Sequence, residues 1–176
     1  MCADLEFADS PSAHGVTRLV ARLWIPASLD TVFAFFSEPS NLEQLTPASL
    51  RFGIEQPGPL VMADGLRIRY QLRVHGIPLK WESEIREWDP PHQFVDVQIR
   101  GPYRYWHHRH SFTEVDGGTL VVDEVDYAPP GGRLVDRVFI RRDLRRIFTF
   151  RMRQLVERFA VQDPRGCSTS PVPPPG

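Results

Sequence analysis

Cysteine is almost missing from this chain of 176 residues: Cys2 and Cys167 are the two present, both in tail-like segments. They are too few for a disulfide framework and lack metal-ligand spacing. Long apolar runs are missing too, and none approaches the roughly 18–20 residues that a bilayer-spanning helix needs. The N-terminal segment MCADLEFADSPSAHG has neither the basic start nor the apolar stretch of a secretory signal. A cytoplasmic location is therefore expected. There is no Gly-x-Ser-x-Gly elbow to carry a nucleophile. Gly53, Gly58 and Gly65 lack the spacing of a phosphate-binding loop. Lysine is reduced to Lys80, and the other basic residues are all arginine, a bias better explained by genome base composition than by function.

What remains suits a soluble globular protein, with 41% hydrophobic and 24% charged residues. The length fits one domain with a sizeable core. The net charge of −1 is unevenly placed. Residues 133–165 hold ten Arg against Asp136, Asp143, Glu157 and Asp163, a local +6 that leaves −7 elsewhere. Such a segment reads first as a solvated helix face and second as a patch for phosphate, nucleic acid or anionic lipid.

Residues 1–14 read as a flexible leader, 15–162 as the folded domain, and the Pro-rich stretch 163–176 as a disordered tail. Val16 to Ile25 is rich in β-formers and stops at Pro26. Ser28 is placed to N-cap a helix carrying Leu29, Val32, Phe33 and Phe36. Ser40 and Glu43 have capping-box spacing for a second short helix that closes before Pro47. The period then changes to two. Strands are expected over 50–56, 66–75, 79–88, 92–100, 103–115 and 119–127, with Asp116-Gly117-Gly118 as a hairpin turn. Leu66, Ile68, Tyr70, Leu72 and Val74 alternate with polar residues most clearly. A single amphipathic helix is expected over 134–161, with Leu134, Val138, Ile147 or Phe148, Met152, Leu155 and Phe159 on its buried stripe.

The order β-α-α-β6-α resembles the START-like or SRPBCC superfamily, the helix-grip fold. Residues 81–112, WESEIREWDPPHQFVDVQIRGPYRYWHHRHSF, are similar to a bacterial ligand-binding SRPBCC subgroup, sometimes fused to a sugar-epimerase-like protein. The resemblance implies an α+β fold in which a curved antiparallel sheet of about seven strands wraps a long C-terminal helix. It also implies a cavity for a small hydrophobic or amphipathic ligand between the two.

Period two puts Trp106, His108, His110 and Phe112 on one face of their strand, beside the expected cavity, with Tyr70 nearby. Asp96 and Gln98 share a face with Phe94 and, leading into Tyr103, could line a polar end of the pocket. A solvent-facing Asp96 and Gln98 is the equal alternative. Trp81 and Trp88, seven apart, fall on opposite faces. His108 and His110 are the catalytic candidates. A metal at His108-x-His110 would need a third ligand from Glu82, Glu84, Asp96, Asp123 or Glu124, and spacing selects none of them. Metal is therefore not expected, nor is any cofactor. Three functions follow in order: a non-enzymatic binder of a hydrophobic ligand; a cyclase, aromatase or dehydratase using His acid/base groups; and a surface-binding module using the Arg-rich helix. That helix could touch a membrane surface, whereas a nucleic-acid partner is not expected.

Overall fold

Alternating apolar residues form the strands, and their inward faces form the floor of the site. The computed structural model describes residues 3–11 and 13–160. Among the described residues there are eight strands: β1 (Ala3–Asp9), β2 (Thr17–Ile25), β3 (Gly53–Ile54), β4 (Arg67–Val74), β5 (Ile77–Asp89), β6 (Gln93–Arg100), β7 (Tyr105–Val115) and β8 (Gly118–Ala128). They make one antiparallel sheet in the order β1-β2-β8-β7-β6-β5-β4-β3. Between β2 and β3 lie α1 (Leu29–Phe36), α2 (Asn41–Gln44) and a 3-10 turn (Ala48–Leu50). After β8, α3 (Gly132–Val135) passes through a π-helical stretch (Asp136–Ile140) into α4 (Arg141–Ala160). The protein thus has the helix-grip α+β architecture.

Several local expectations are corrected. The leader is not loose: Ala3–Asp9 pairs with β2 along its length, and Leu5 and Phe7 pack on the core. Their alternation with charged residues gives this edge strand one apolar face. The expected strand 50–56 shrinks to Gly53–Ile54, because residues 48–50 take a 3-10 turn and Arg51 turns left-handed at φ 45°. The Gln56 side chain continues the pairing instead, donating to Arg67 O at 2.7 Å and accepting from Arg69 N at 2.6 Å. Ser28 does cap α1, accepting from Thr31 N. Ser40 makes no capping bond and donates its hydroxyl to Glu38.

Trp81 and Trp88 both reach the same core, contrary to the count of seven. Two residues of β5 oppose one of β6 between Arg86 and Asp89, and Glu87 sits at φ 50°. This β-bulge reverses the alternation, so Trp88 lands against Phe33, ring centroids 5.2 Å apart.

The terminal helix is also not one uninterrupted cylinder. Its buried stripe runs Asp136, Leu144, Phe148, Arg151, Met152, Leu155 and Phe159. Leu134 and Val138, expected on that stripe, are 75% and 51% exposed. The wider π turn changes the angular step, and Asp136 takes the inward position. Asp136 is buried there because it accepts from Thr17 Oγ1 (3.0 Å), Tyr127 OH (2.8 Å) and Arg141 Nε (2.9 Å). These contacts fasten the start of the long helix to β2 and β8.

Candidate functional site

A cavity of about 460 Å³ lies between α4 and the inward face of the sheet. Its walls are mostly apolar. α1 and the segment after it supply Phe35, Leu42, Leu45 and Phe52; α4 supplies Leu144 and Ile147; the sheet supplies Ile68, Leu72, Leu79 and Ile85. One helix cannot fill the trough of a curved sheet, which is why the space remains. At one rim the β4–β5 hairpin tip meets α4, where His75 Nε2 lies 2.8 Å from Asp143 Oδ2.

The sheet register brings polar side chains to the floor. On β7, Trp106, His108, His110 and Phe112 point inward opposite Tyr127, Val125, Asp123 and Val121 of β8. Asp96 is the direct β6 partner of His108, and Phe94 is that of His110. Asp123 is the centre of a buried cluster. His110 Nδ1 lies 2.7 Å from Asp123 Oδ1, and His108 Nε2 lies 3.2 Å from the same oxygen. Arg151 Nε lies 3.1 Å from Oδ2, an ionic contact rather than a directed hydrogen bond. All four residues are buried. Phe94 stacks on the His110 ring at 4.3 Å, and the Arg151 guanidinium lies over Phe36 at 5.1 Å.

This arrangement sets the charges. Burial pushes the His110 imidazole down to about 3, helped by neighbouring His108 and only partly offset by Asp123. Asp123 moves the other way to its burial: desolvation alone would raise it, but Arg151 and hydrogen bonds from both histidines hold it well below the usual carboxylate range. Its partner nitrogens are therefore oriented as donors, leaving the second nitrogen of a neutral His110 ring as an acceptor.

On the far side, Tyr70 OH and Trp81 Nε1 each lie 3.0 Å from Ser83 Oγ. Burial raises the Tyr70 hydroxyl well above its ordinary value. Asp96 comes next along the floor. Its carboxyl is raised mainly by burial, against the pull of His108, a hydrogen bond with Ser83, and Arg151. One of its oxygens, Oδ1, is buried with no hydrogen-bond partner.

Of the residues singled out from sequence, Tyr70, Asp96, Tyr103, Trp106, His108 and His110 line the cavity. Phe112 and Gln98 do not. Phe112 lies beneath the floor, packed between Phe33 at 5.3 Å and Phe36 at 5.0 Å. Gln98 clamps the β6–β7 loop: its Nε2 donates to Tyr103 O at 2.7 Å, and its Oε1 accepts from Tyr103 N at 3.2 Å. A Cβ at Gly101 would collide with that clamp.

Asp123 and Arg151 were not singled out as a pair. The turn at Asp116-Gly117 could have found Asp123. A two-residue loop sets Val115 opposite Gly118, and counting back sets His110 opposite Asp123. The signal for Arg151 is an arginine on the apolar stripe between Phe148 and Leu155.

His108, His110 and Asp123 offer three ligand atoms within 4.8 Å of one another, the geometry a metal could use. The Arg151 guanidinium already neutralises Asp123 from the other side, and a divalent ion added there would face that fixed positive charge. The cluster is better suited to holding the two imidazoles in place than to collecting a cation.

An open antiparallel sheet gripping a long helix over an apolar cavity defines a helix-grip protein. Residues 17–160 match the family model described as polyketide cyclase / dehydrase and lipid transport, so the chain belongs to that family, within the SRPBCC superfamily. Solved structures agree in fold. Protein Ms6760 from Mycobacterium smegmatis is 16% identical, with a TM-score of 0.66 over 92% of this chain and 100% of that one. Ginseng major latex-like protein 151 from Panax ginseng is 13% identical, with a TM-score of 0.62 over 82% of this chain and 98% of that one. A nucleoside-diphosphate sugar epimerase from Corynebacterium glutamicum is 24% identical, with a TM-score of 0.61; the match covers 78% of this chain but 28% of the epimerase. No curated protein matches the sequence.

Proposed function

We propose that this protein binds a small hydrophobic or amphipathic molecule, as carrier or sensor, in the cavity between sheet and α4. The observation that carries the reading is the cavity itself: about 460 Å³, within the usual size range of small-molecule sites, with apolar walls and a few convergent polar groups. Membership of a family whose description includes lipid transport supports it. Trp81 and Trp106 border the space and meet edge to face at 5.1 Å, so ligand entry should perturb their fluorescence. Native mass spectrometry of freshly purified protein tests the reading. A co-purified small molecule, or saturable uptake of 1-anilinonaphthalene-8-sulfonate weakened by Trp106→Ala, is expected. Absence of both would refute it.

A second reading concerns how such a ligand is delivered. Leu134, Val138 and Phe139 are 75%, 51% and 58% exposed, within one short segment. Arg137, Arg142, Arg145 and Arg146 surround them in the chain and are exposed as well. Apolar residues among arginines suit the surface of an anionic membrane. Among the described residues no helix is long and apolar enough to cross one. Co-sedimentation with phosphatidylglycerol-containing vesicles, lost at high salt and in Phe139→Ser, is the expected result. Equal binding to phosphatidylcholine vesicles would count against it.

A further inference from the structure

The polar floor of the cavity forms a belt across the sheet. From one side it runs Tyr70, Ser83, Asp96; from the other it runs Arg151, Asp123, His108. Every link is a hydrogen bond or ion pair except one. Asp96 and His108 face each other across β6 and β7 as direct partners, a placement that sets their Cβ atoms about 4.5–5.5 Å apart. No hydrogen bond joins them among the described residues. The Asp96 carboxyl keeps one oxygen unpartnered, and His108 is bonded through Nε2 alone, which leaves Nδ1 for another partner. Both residues line the cavity.

We infer that this break in the belt is a docking point for one hydroxyl group of the ligand, donated to His108 Nδ1 and accepting from the Asp96 carboxyl. The inference rests on the reading of the cavity as a ligand site and adds the chemical class: an apolar body with a single hydroxyl at the buried end. The chemistry selects against charged ends. Asp123 and Arg151 already balance each other, and burial keeps His110 neutral, so the floor offers no net charge to an ion. Burial raises the Asp96 carboxyl, and in its protonated form that group carries the O–H that a ligand oxygen needs. A carboxylate would meet Asp96 without a cation to spare. An ammonium would require Asp96 to ionise in an apolar wall. The oxygen without a partner is covered in the unliganded floor, so docking requires a partial rotation of the carboxyl about χ2, a soft torsion, that turns this oxygen toward His108. An ether or ester oxygen could accept from Asp96 but would leave His108 unanswered.

Displacement of 1-anilinonaphthalene-8-sulfonate by 1-decanol, 1-methoxydecane, decanoate and decylamine tests this directly. The wild-type protein should bind 1-decanol about tenfold more tightly than 1-methoxydecane, the upper value of the one neutral hydrogen bond that the ether cannot donate, and at least as much more tightly than decanoate and decylamine. His108→Phe, which removes the acceptor, should bring 1-decanol and 1-methoxydecane within about twofold of each other, while Asp96→Leu should weaken both several-fold and Asp96→Asn, which keeps a donor and the shape, should weaken them less. A preference for decanoate or decylamine, an alcohol preference unchanged in His108→Phe, or affinities unchanged in Asp96→Leu would overturn the docking point while leaving the cavity a ligand site. Failure of the fluorophore and all four probes to bind would overturn the cavity reading and the docking point together.

Discussion

His110 Nδ1 lies 2.7 Å from Asp123 Oδ1, and this buried contact joins two strands directly beneath the cavity. It also ties the site to acid stability. His110 resists protonation down to about 3 when folded, whereas an unfolded histidine takes a proton near pH 6.5. Between those values the unfolded state binds more protons, so stability falls as pH drops, by up to ~1.4 kcal/mol per unit for one group. Asp123 is depressed when folded, so its contribution is present above the ordinary carboxylate range and is lost as pH falls further. Asp96 is raised and opposes this trend. Urea unfolding between pH 7 and 4 should show a steep acid limb that His110→Gln flattens. An equal slope in the variant would contradict the assignment.

Removing Asp123 leaves Arg151 buried and unbalanced. Asp123→Ala should cost about 3–5 kcal/mol. The double change Asp123→Ala with Arg151→Met should cost less than the single one, because no charge is left stranded. A double-mutant cycle by chemical denaturation reads this, and simple additivity would argue that the pair is not coupled.

Trp106 and Phe112 share a strand face but differ in surroundings. Phe112 is 2% exposed and enclosed by aromatic rings. Phe112→Ala should cost about 3–5 kcal/mol. Trp106 borders open space, and Trp106→Ala should cost less, about 1–3 kcal/mol, while enlarging the cavity. Stability measurements reversing that order would show that Trp106 is the true core residue.

The His75–Asp143 contact spans a rim of the cavity in an exposed setting. Asp143→Ala should change stability by no more than about 1 kcal/mol. It should speed fluorophore entry in stopped-flow mixing, because the hairpin tip loses its tie to α4. Unchanged entry rates would place the entrance elsewhere.

Zinc offers a further check on the His108–His110–Asp123 cluster. Added zinc should leave the melting temperature where it is, and EDTA should do the same, because Arg151 already serves the carboxylate. A rise of several degrees with zinc, abolished in His108→Ala, would restore the metal reading.

Strand faces were legible where side-chain direction depends on local alternation alone. Tyr70, Trp106, His108 and His110 are such cases, as are the helix-grip order and the Asp116-Gly117 turn. Errors arose wherever a single residue shifts the phase. Glu87 reverses the direction of Trp88, and the π stretch turns Leu134 and Val138 outward, yet neither carries a composition signal. The strand at Ala3–Asp9 was hidden because its apolar face holds little more than Leu5 and Phe7, and its stability comes from pairing with β2. The choice of Asp123 over Glu82, Glu84 and Glu124 required the pairing register, a non-local property that the turn alone encodes. Removal of residues 3–9 should accordingly lower the melting temperature and expose the β2 edge to self-association, seen by light scattering.

The sheet order has a consequence for synthesis. β2 leaves the ribosome well before its main partner β8; the Arg18–Asp126 bond alone spans 108 residues. Until β8 emerges, β1 and β2 can form no more than a two-stranded ribbon, which is marginal in water. The strands β4 to β8, by contrast, can pair each with its predecessor as they appear. The nascent chain therefore carries an unpaired β2 edge while the residues from β3 to β8 are made, and completion of the sheet waits on a long loop closure.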